Sequence, residues 1–162
     1  SYDTLLEIHG IGPTKAAVLM ACFELANRYG TPAEKERIRI TEPDHILKIS
    51  EVTDLSGKSQ EHFLVTTLNG ASEVICTRTI TMGLLNHSLV HPREVFADAI
   101  TDRAAAIICI HNHPSGNPEP SSEDITVTRQ LSEAGKILGI SLLDHLIYTK
   151  GKVTSLRSLG YL

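Results

Sequence analysis

Residues 104–110, Ala-Ala-Ala-Ile-Ile-Cys-Ile, carry no polar side chain and run straight into His111-Asn112-His113-Pro114. That junction constrains the fold more than any other feature. The run is too short to cross a bilayer. It suits a strand covered on both faces, as in a sheet flanked by helices. A strand points successive side chains to opposite faces, so His111 and His113 emerge together on one face at the strand's end. The loop that follows holds Pro114, Gly116, Pro118 and Pro120, a density of breakers that neither helix nor strand tolerates. Ser121 then reads as the N-cap of a helix ending near Leu138, with Gly139 as its stop. Asp124 falls in that helix's first turn.

The rest of the chain supplies elements to match. Leu5, Leu6 and Ile8 precede the turn Gly10-Ile11-Gly12-Pro13, and Ala16, Leu19, Met20, Phe23 and Ala26 follow at helical spacing. Residues 1–30 therefore read as a small helical hairpin. Residues 31–40 read as a charged linker, and a helix is expected near Thr41 with Pro43 in its first turn. Residues 61–68 and 73–82 alternate like strands. Asn69-Gly70 between them signals a two-residue turn whose central positions both need positive φ. Pro92 opens a helix through about Ile100. Residues 141–148 read as a strand, and Lys150-Gly151 turns into a last short one. Such a mixture belongs to the α/β (α+β) class, with residues 41–162 as one layered domain around a mixed sheet.

Composition narrows the function classes. Hydrophobic residues make up 41% of the 162, aromatics only 4%, so an aliphatic core is expected. Fifteen basic against nineteen acidic residues give a net charge of −4, which argues against a surface devoted to phosphate neutralisation. Cys22, Cys76 and Cys109 are odd in number and form no CxxC pair, so neither a disulfide framework nor a cysteine zinc knuckle is expected. A reducing cytoplasm is the natural compartment. The chain opens on Ser rather than Met, as a piece of a longer protein would.

The histidine segment carries the chemistry. Two imidazoles on one face can bind one metal ion, and Asp124, brought in by the next helix, offers a third ligand. Three protein ligands leave a fourth tetrahedral position for water, as a catalytic zinc requires. As plain structural roles, Ser121 and Asp124 would cap the helix as a reciprocal capping box, which is compatible with the site. Cys109 precedes His111 by two and shares its face, either as a soft ligand or, more commonly, as a small buried hydrophobe. Asp144-His145 reads chiefly as a satisfied structural pair, with a supporting role at a ligand imidazole as the alternative. The letters HNH do not make a nuclease, whose motif is spread over a ββα unit. The zinc deaminase signature, H-x-E with P-C-x-x-C, is absent.

The pattern His111-x-His113, seven residues, then Ser121-x-x-Asp124 resembles the JAMM signature of JAB/MPN proteins. The stretches HPREVFADAI and AAAIICIHNHPSGNPEPSSEDITVTRQLSEAGKILGISLLDHLI resemble the RadC proteins of bacteria in particular, over residues 41–162. The resemblance implies a three-layer sandwich like the cytidine-deaminase fold, with residues 1–30 as a helix-hairpin-helix piece. It implies Zn2+ held by His111, His113 and Asp124. It implies that Ser121 donates to a developing oxyanion, and that an upstream Glu serves as general base and then as acid to a leaving amine. Glu61, at the start of the first strand, is the choice for that base, with Glu73 and Glu94 as rivals. The implied activity is that of a zinc metallopeptidase or isopeptidase acting on a peptide or protein. The alternative is a metal-stabilised scaffold that binds DNA or a protein in DNA repair. Gly10, Gly12 and Lys15 are the candidate DNA contacts, through backbone amides and one charge. A second copy of the chain is a further possible partner. No membrane association is expected.

Overall fold

The computed structural model describes residues 2–29, 37–83 and 90–162, and the chain divides into two compact units, Ser1–Glu36 and Arg37–Leu162. The first unit holds α1 (Tyr2–Leu6) and α2 (Pro13–Tyr29). Between them Gly10 takes φ 84°, a value that a side-chain-free residue adopts without strain. Lys15 folds back so that its Nζ donates to the Gly10 carbonyl at 2.9 Å.

The second unit is built on one five-stranded sheet in the order β2-β1-β3-β4-β5. The strands are β1 (His62–Leu68), β2 (Val74–Met82), β3 (Ala106–Asn112), β4 (Ser141–Thr149) and β5 (Lys152–Ser155). All neighbours are antiparallel except β3 and β4. A parallel pair needs a crossover, and α5 (Ser122–Leu138) provides it. Every residue of β3 is buried, as an apolar run covered on both faces should be. One face, carrying Phe63, Val65, Ile107 and Cys109, packs with Val95 and Phe96 of α4 (Pro92–Thr101) and with Val127 and Leu131 of α5. The other, carrying Leu64, Ile108 and Ile110, packs with Ile46, Ile49 and Val52. Among the described residues, no helix is long and apolar enough to cross a membrane.

Three local expectations are corrected. The helix near Thr41 is a 3₁₀ segment, Pro43–Lys48, followed by a single turn, α3 (Ser50–Thr53). Ile49 between them is extended, at φ −89° and ψ 123°, and breaks the run. The β1–β2 connection is longer than a two-residue turn, because Leu68 pairs with Val74. Asn69 Oδ1 instead accepts the Ala71 and Glu73 amides, and the left-handed residue is Ser72, at φ 61°. Such side-chain mimicry of a turn is a habit of Asn. The linker read over 31–40 ends sooner, although residues 31–36 lie outside those described. Val74 N donates to Ile38 O, Ile40 N to Ser72 O, and Ile40 is buried. The segment here makes one isolated antiparallel bridge, Arg39 to Glu73, beside the hairpin.

Candidate metal centre

β3 delivers the first two candidate ligands. It runs antiparallel to β1 with Phe63 opposite His111. Phe63 stacks on the His111 ring, with centroids 6.3 Å apart and planes 13° apart. One residue beyond the strand, His113 shares the face of His111 and stays partly open, its side chain 12% exposed. The helix N-terminus delivers the third. Ser121 Oγ accepts the Asp124 amide, and Asp124 Oδ2 accepts both the amide and the hydroxyl of Ser121, at 2.8 and 2.7 Å. The capping box thereby fixes the carboxylate while satisfying the helix end.

The three side chains converge. His111 Nε2 lies 2.9 Å from His113 Nε2 and 3.1 Å from Asp124 Oδ1, and His113 Nε2 lies 3.4 Å from Asp124 Oδ2. Ligands about 2.1 Å from a tetrahedral ion sit about 3.4 Å from one another. A spread of a few tenths of an ångström would therefore seat an ion and leave a fourth position over. Among the described residues, His111, His113 and Asp124 are the one such group of metal-ligating side chains. Their donor set, two imidazoles and a carboxylate, suits zinc and other divalent ions. Cys109 is no part of it: the residue is wholly buried in the core, where burial pushes its thiol far up.

The electrostatics fit a cation. Burial by itself would raise the Asp124 carboxyl, but His111, His113 and Ser121 hold it well below the usual carboxylate range. His113 is raised, first by its hydrogen bond to Asp124, against burial, with help from the Asn117 carbonyl and the charge of Glu61. Since a carbonyl can only accept, the 2.8 Å contact to Asn117 O places a hydrogen on His113 Nδ1. Its Nε2 is then left free to act as a ligand atom.

The expected residues fall as follows. Glu61 immediately precedes β1. Extending the β1–β3 register two residues beyond Phe63–His111 sets Glu61 across from His113, on the same face as Phe63. Glu94 lies on the exposed side of α4 beside Arg93, and Glu73 pairs with Asn69 at the far end of the hairpin. Neither reaches the cluster. Gly10, Gly12 and Lys15 belong to the other unit. Pro114 lines two clefts, and His113 lines the first of them. One, of about 350 Å³, has Lys58, Tyr148 and Lys150 on its walls; the other, of about 330 Å³, has Glu61, Gly83 and Ser115.

Residues 40–161 match the family model described as a RadC-like JAB domain. The chain belongs to the RadC-like JAB family. A UPF0758 protein of Methanospirillum hungatei is 99% identical over 162 residues, all of this chain and 72% of that relative. Counterparts from Geobacillus thermodenitrificans and Listeria monocytogenes are 47% and 48% identical, over 98% and 95% of this chain and 70% and 68% of theirs. The RadC-like JAB domain of this chain carries a His-His-Asp cluster, and the charge of Glu61 acts on its His113.

Three further residues support the cluster, of which sequence pattern singles out only His145, as the alternative role of the Asp144-His145 pair. Asn112, between the histidines, faces away from the cluster. Its Oδ1 accepts the His62 amide at 2.8 Å and its Nδ2 donates to Gln60 O at 3.0 Å, so one side chain grips the backbone on both sides of Glu61. His145 and Thr128 stand behind His111. The expected pair Asp144-His145 holds through its backbone, with the His145 amide donating to Asp144 Oδ1 at 2.8 Å, while the two side chains go separate ways. Asp144 accepts the Ser155 hydroxyl and the Arg157 amide, while His145 touches His111. The i to i+4 spacing of Asp124 and Thr128, which puts both on one face of a helix, was the available signal for Thr128.

Proposed function

We propose that this chain is a zinc-dependent hydrolase that cleaves an amide bond, peptide or isopeptide, in a peptide or protein. The observation that carries the reading is the convergence of His111, His113 and Asp124 with Glu61 across from His113. Bound zinc would polarise a substrate carbonyl and bring the pKa of water down to about 7. Glu61 takes a proton from the attacking water and passes it to the departing amine. Its place beside an open cleft suits both transfers. Ser121 is the donor for the oxyanion. Its hydrogen now points at Asp124, so this role asks the hydroxyl to turn. Phe63 and the buried strand behind the histidines exclude water from the rear. The reading includes a cytoplasmic setting, a cytidine-deaminase-like layering and a helix-hairpin-helix at residues 1–30.

The test has two stages. Elemental analysis after zinc loading should find about one zinc per chain, and none above background in Asp124→Ala. The loaded protein is then incubated with a proteome-derived peptide library, and new termini are read by mass spectrometry. Cleavage should vanish in Glu61→Gln while zinc is kept. A metal-stabilised module binding DNA or a protein predicts instead that Glu61→Gln changes nothing. An intact chain that takes up no zinc would sink both readings.

A further inference from the structure

The proposed metal centre asks His111 to present Nε2 without a hydrogen, and for a fully buried imidazole that depends on what faces Nδ1. Unlike His113, whose Nδ1 meets a backbone carbonyl, His111 turns Nδ1 to another ring nitrogen, Nε2 of His145, at 2.9 Å. Two imidazole nitrogens can share only one hydrogen, so this contact leaves its own direction open. The next contacts decide it. His145 Nδ1 lies 2.6 Å from Thr128 Oγ1, and Thr128 Oγ1 lies 2.6 Å from the backbone carbonyl of Asp124. A carbonyl has no hydrogen to give, and two oxygens at that distance repel unless one lies between them. The Thr128 hydroxyl hydrogen therefore goes to Asp124 O. Thr128 can then only accept from His145, so His145 carries its hydrogen on Nδ1 and offers a bare Nε2. His111 must donate Nδ1–H to it. Nε2 of His111 is left for the metal.

We infer that His145 and Thr128 are positioning residues of the metal centre, and that their hydrogen-bond chain fixes the ligand tautomer of His111. The chain closes on itself, since it begins at one ligand and ends on the backbone of another, Asp124. Packing supports the direction. All three groups are buried, and Phe63 meets His145 edge-on at 5.4 Å, so no water is needed to complete the set. A β-bulge makes the contact possible. Ile107 pairs with Leu142 but Ile108 with Asp144, so Leu143 is the extra residue and the strand's alternation reverses after it. That reversal turns His145 to the face of Cys109 and His111.

This inference rests on the metal-centre reading, and the test keeps the two apart. Long-range 1H–15N NMR of the metal-free wild-type protein reports which ring nitrogens carry hydrogen. The expected pattern is hydrogen on Nδ1 of both His111 and His145, with His145 Nε2 bare; hydrogen on His145 Nε2 overturns the inference whatever the metal does. Zinc affinity, by competition with a chromogenic chelator, is the second readout. Thr128→Val keeps the shape but removes the acceptor, so His145 shifts its hydrogen to Nε2 and forces that of His111 onto the ligand atom. Affinity should fall about 10- to 100-fold, while Thr128→Ser, which keeps the hydroxyl, retains the wild-type value. Wild-type affinity in a folded Thr128→Val protein overturns the inference and leaves the metal centre standing. A wild type that binds no zinc refutes the metal centre itself, and with it the role assigned to the chain.

Discussion

Asn112→Ala tests the link between the histidine strand and the segment carrying Glu61. The wild-type residue is 3% exposed, and its side chain makes two hydrogen bonds, from the His62 amide and to Gln60 O. Each neutral bond contributes about 1 kcal/mol net, and a buried partner left alone costs about 1–3. Gln60 is exposed, so its carbonyl can turn to water at little cost; the amide of half-buried His62, at the start of an otherwise buried strand, cannot do so as freely. The expected loss is about 2–3 kcal/mol. Asn112→Ser, too short to reach both partners, should lose about half of that. Urea unfolding of the chelated protein, followed by far-ultraviolet circular dichroism, gives the difference at constant slope. Hydrogen exchange at the His62 amide gives the local effect, since that amide loses its acceptor. Zinc binding should survive, because Asn112 points away from the ligands. A stability change under about 0.5 kcal/mol, the level typical of surface substitutions, with unchanged His62 exchange, would refute the idea that Asn112 holds the Glu61 segment.

Other perturbations separate fold from site. Gly135→Ala should destabilise despite improving helix propensity, because the added Cβ would sit 2.4 Å from Ile140 O and 3.3 Å from Phe96 Cζ. A cost of about 1–3 kcal/mol corresponds to a melting point lower by roughly 2–12 °C, readable by calorimetry. Asp102 accepts from Arg78 at 2.6 and 3.0 Å and from Thr67 at 2.7 Å, and its carboxyl is held below the usual value, first by the Arg78 hydrogen bond. A folded-state pKa below the unfolded one stabilises at pH above about 4 and is lost as pH falls further, so Asp102→Asn should flatten the acid limb of the stability–pH curve. Arg78 is 35% exposed, so the effect will be modest and reduced by salt. Zinc at a hundredfold its dissociation constant should stabilise the wild type by about 2.7 kcal/mol and leave Asp124→Ala unmoved, as thermal shift would show.

How much of this was legible depended on the range of the signal. The capping box at Ser121 and Asp124, the stop at Gly139 and the buried strand before His111 are written in neighbours a few residues apart, and all appear where local rules put them. The β1–β2 turn failed for a local reason: Asn69-Gly70 suits a tight turn, but the Asn69 side chain closed a longer one. The support behind His111 was only partly legible: a supporting role for His145 was the alternative for the Asp144-His145 pair, and local pattern could not say which face it takes. In residues 141–148, strict alternation separates Leu142 from His145, yet the bulge at Leu143 puts both on one face. Adjacent polar residues there look like a pair because sequence records order, not face. Which face His145 takes is settled by its register against Cys109, 36 positions earlier, and by the crossover between them. A candidate metal centre of this kind is therefore half visible in advance. The candidate ligands lie on one strand end and one helix start and show as a motif, whereas His145 and Thr128, which orient them, come from another strand and from the crossover helix and meet only once the sheet is assembled.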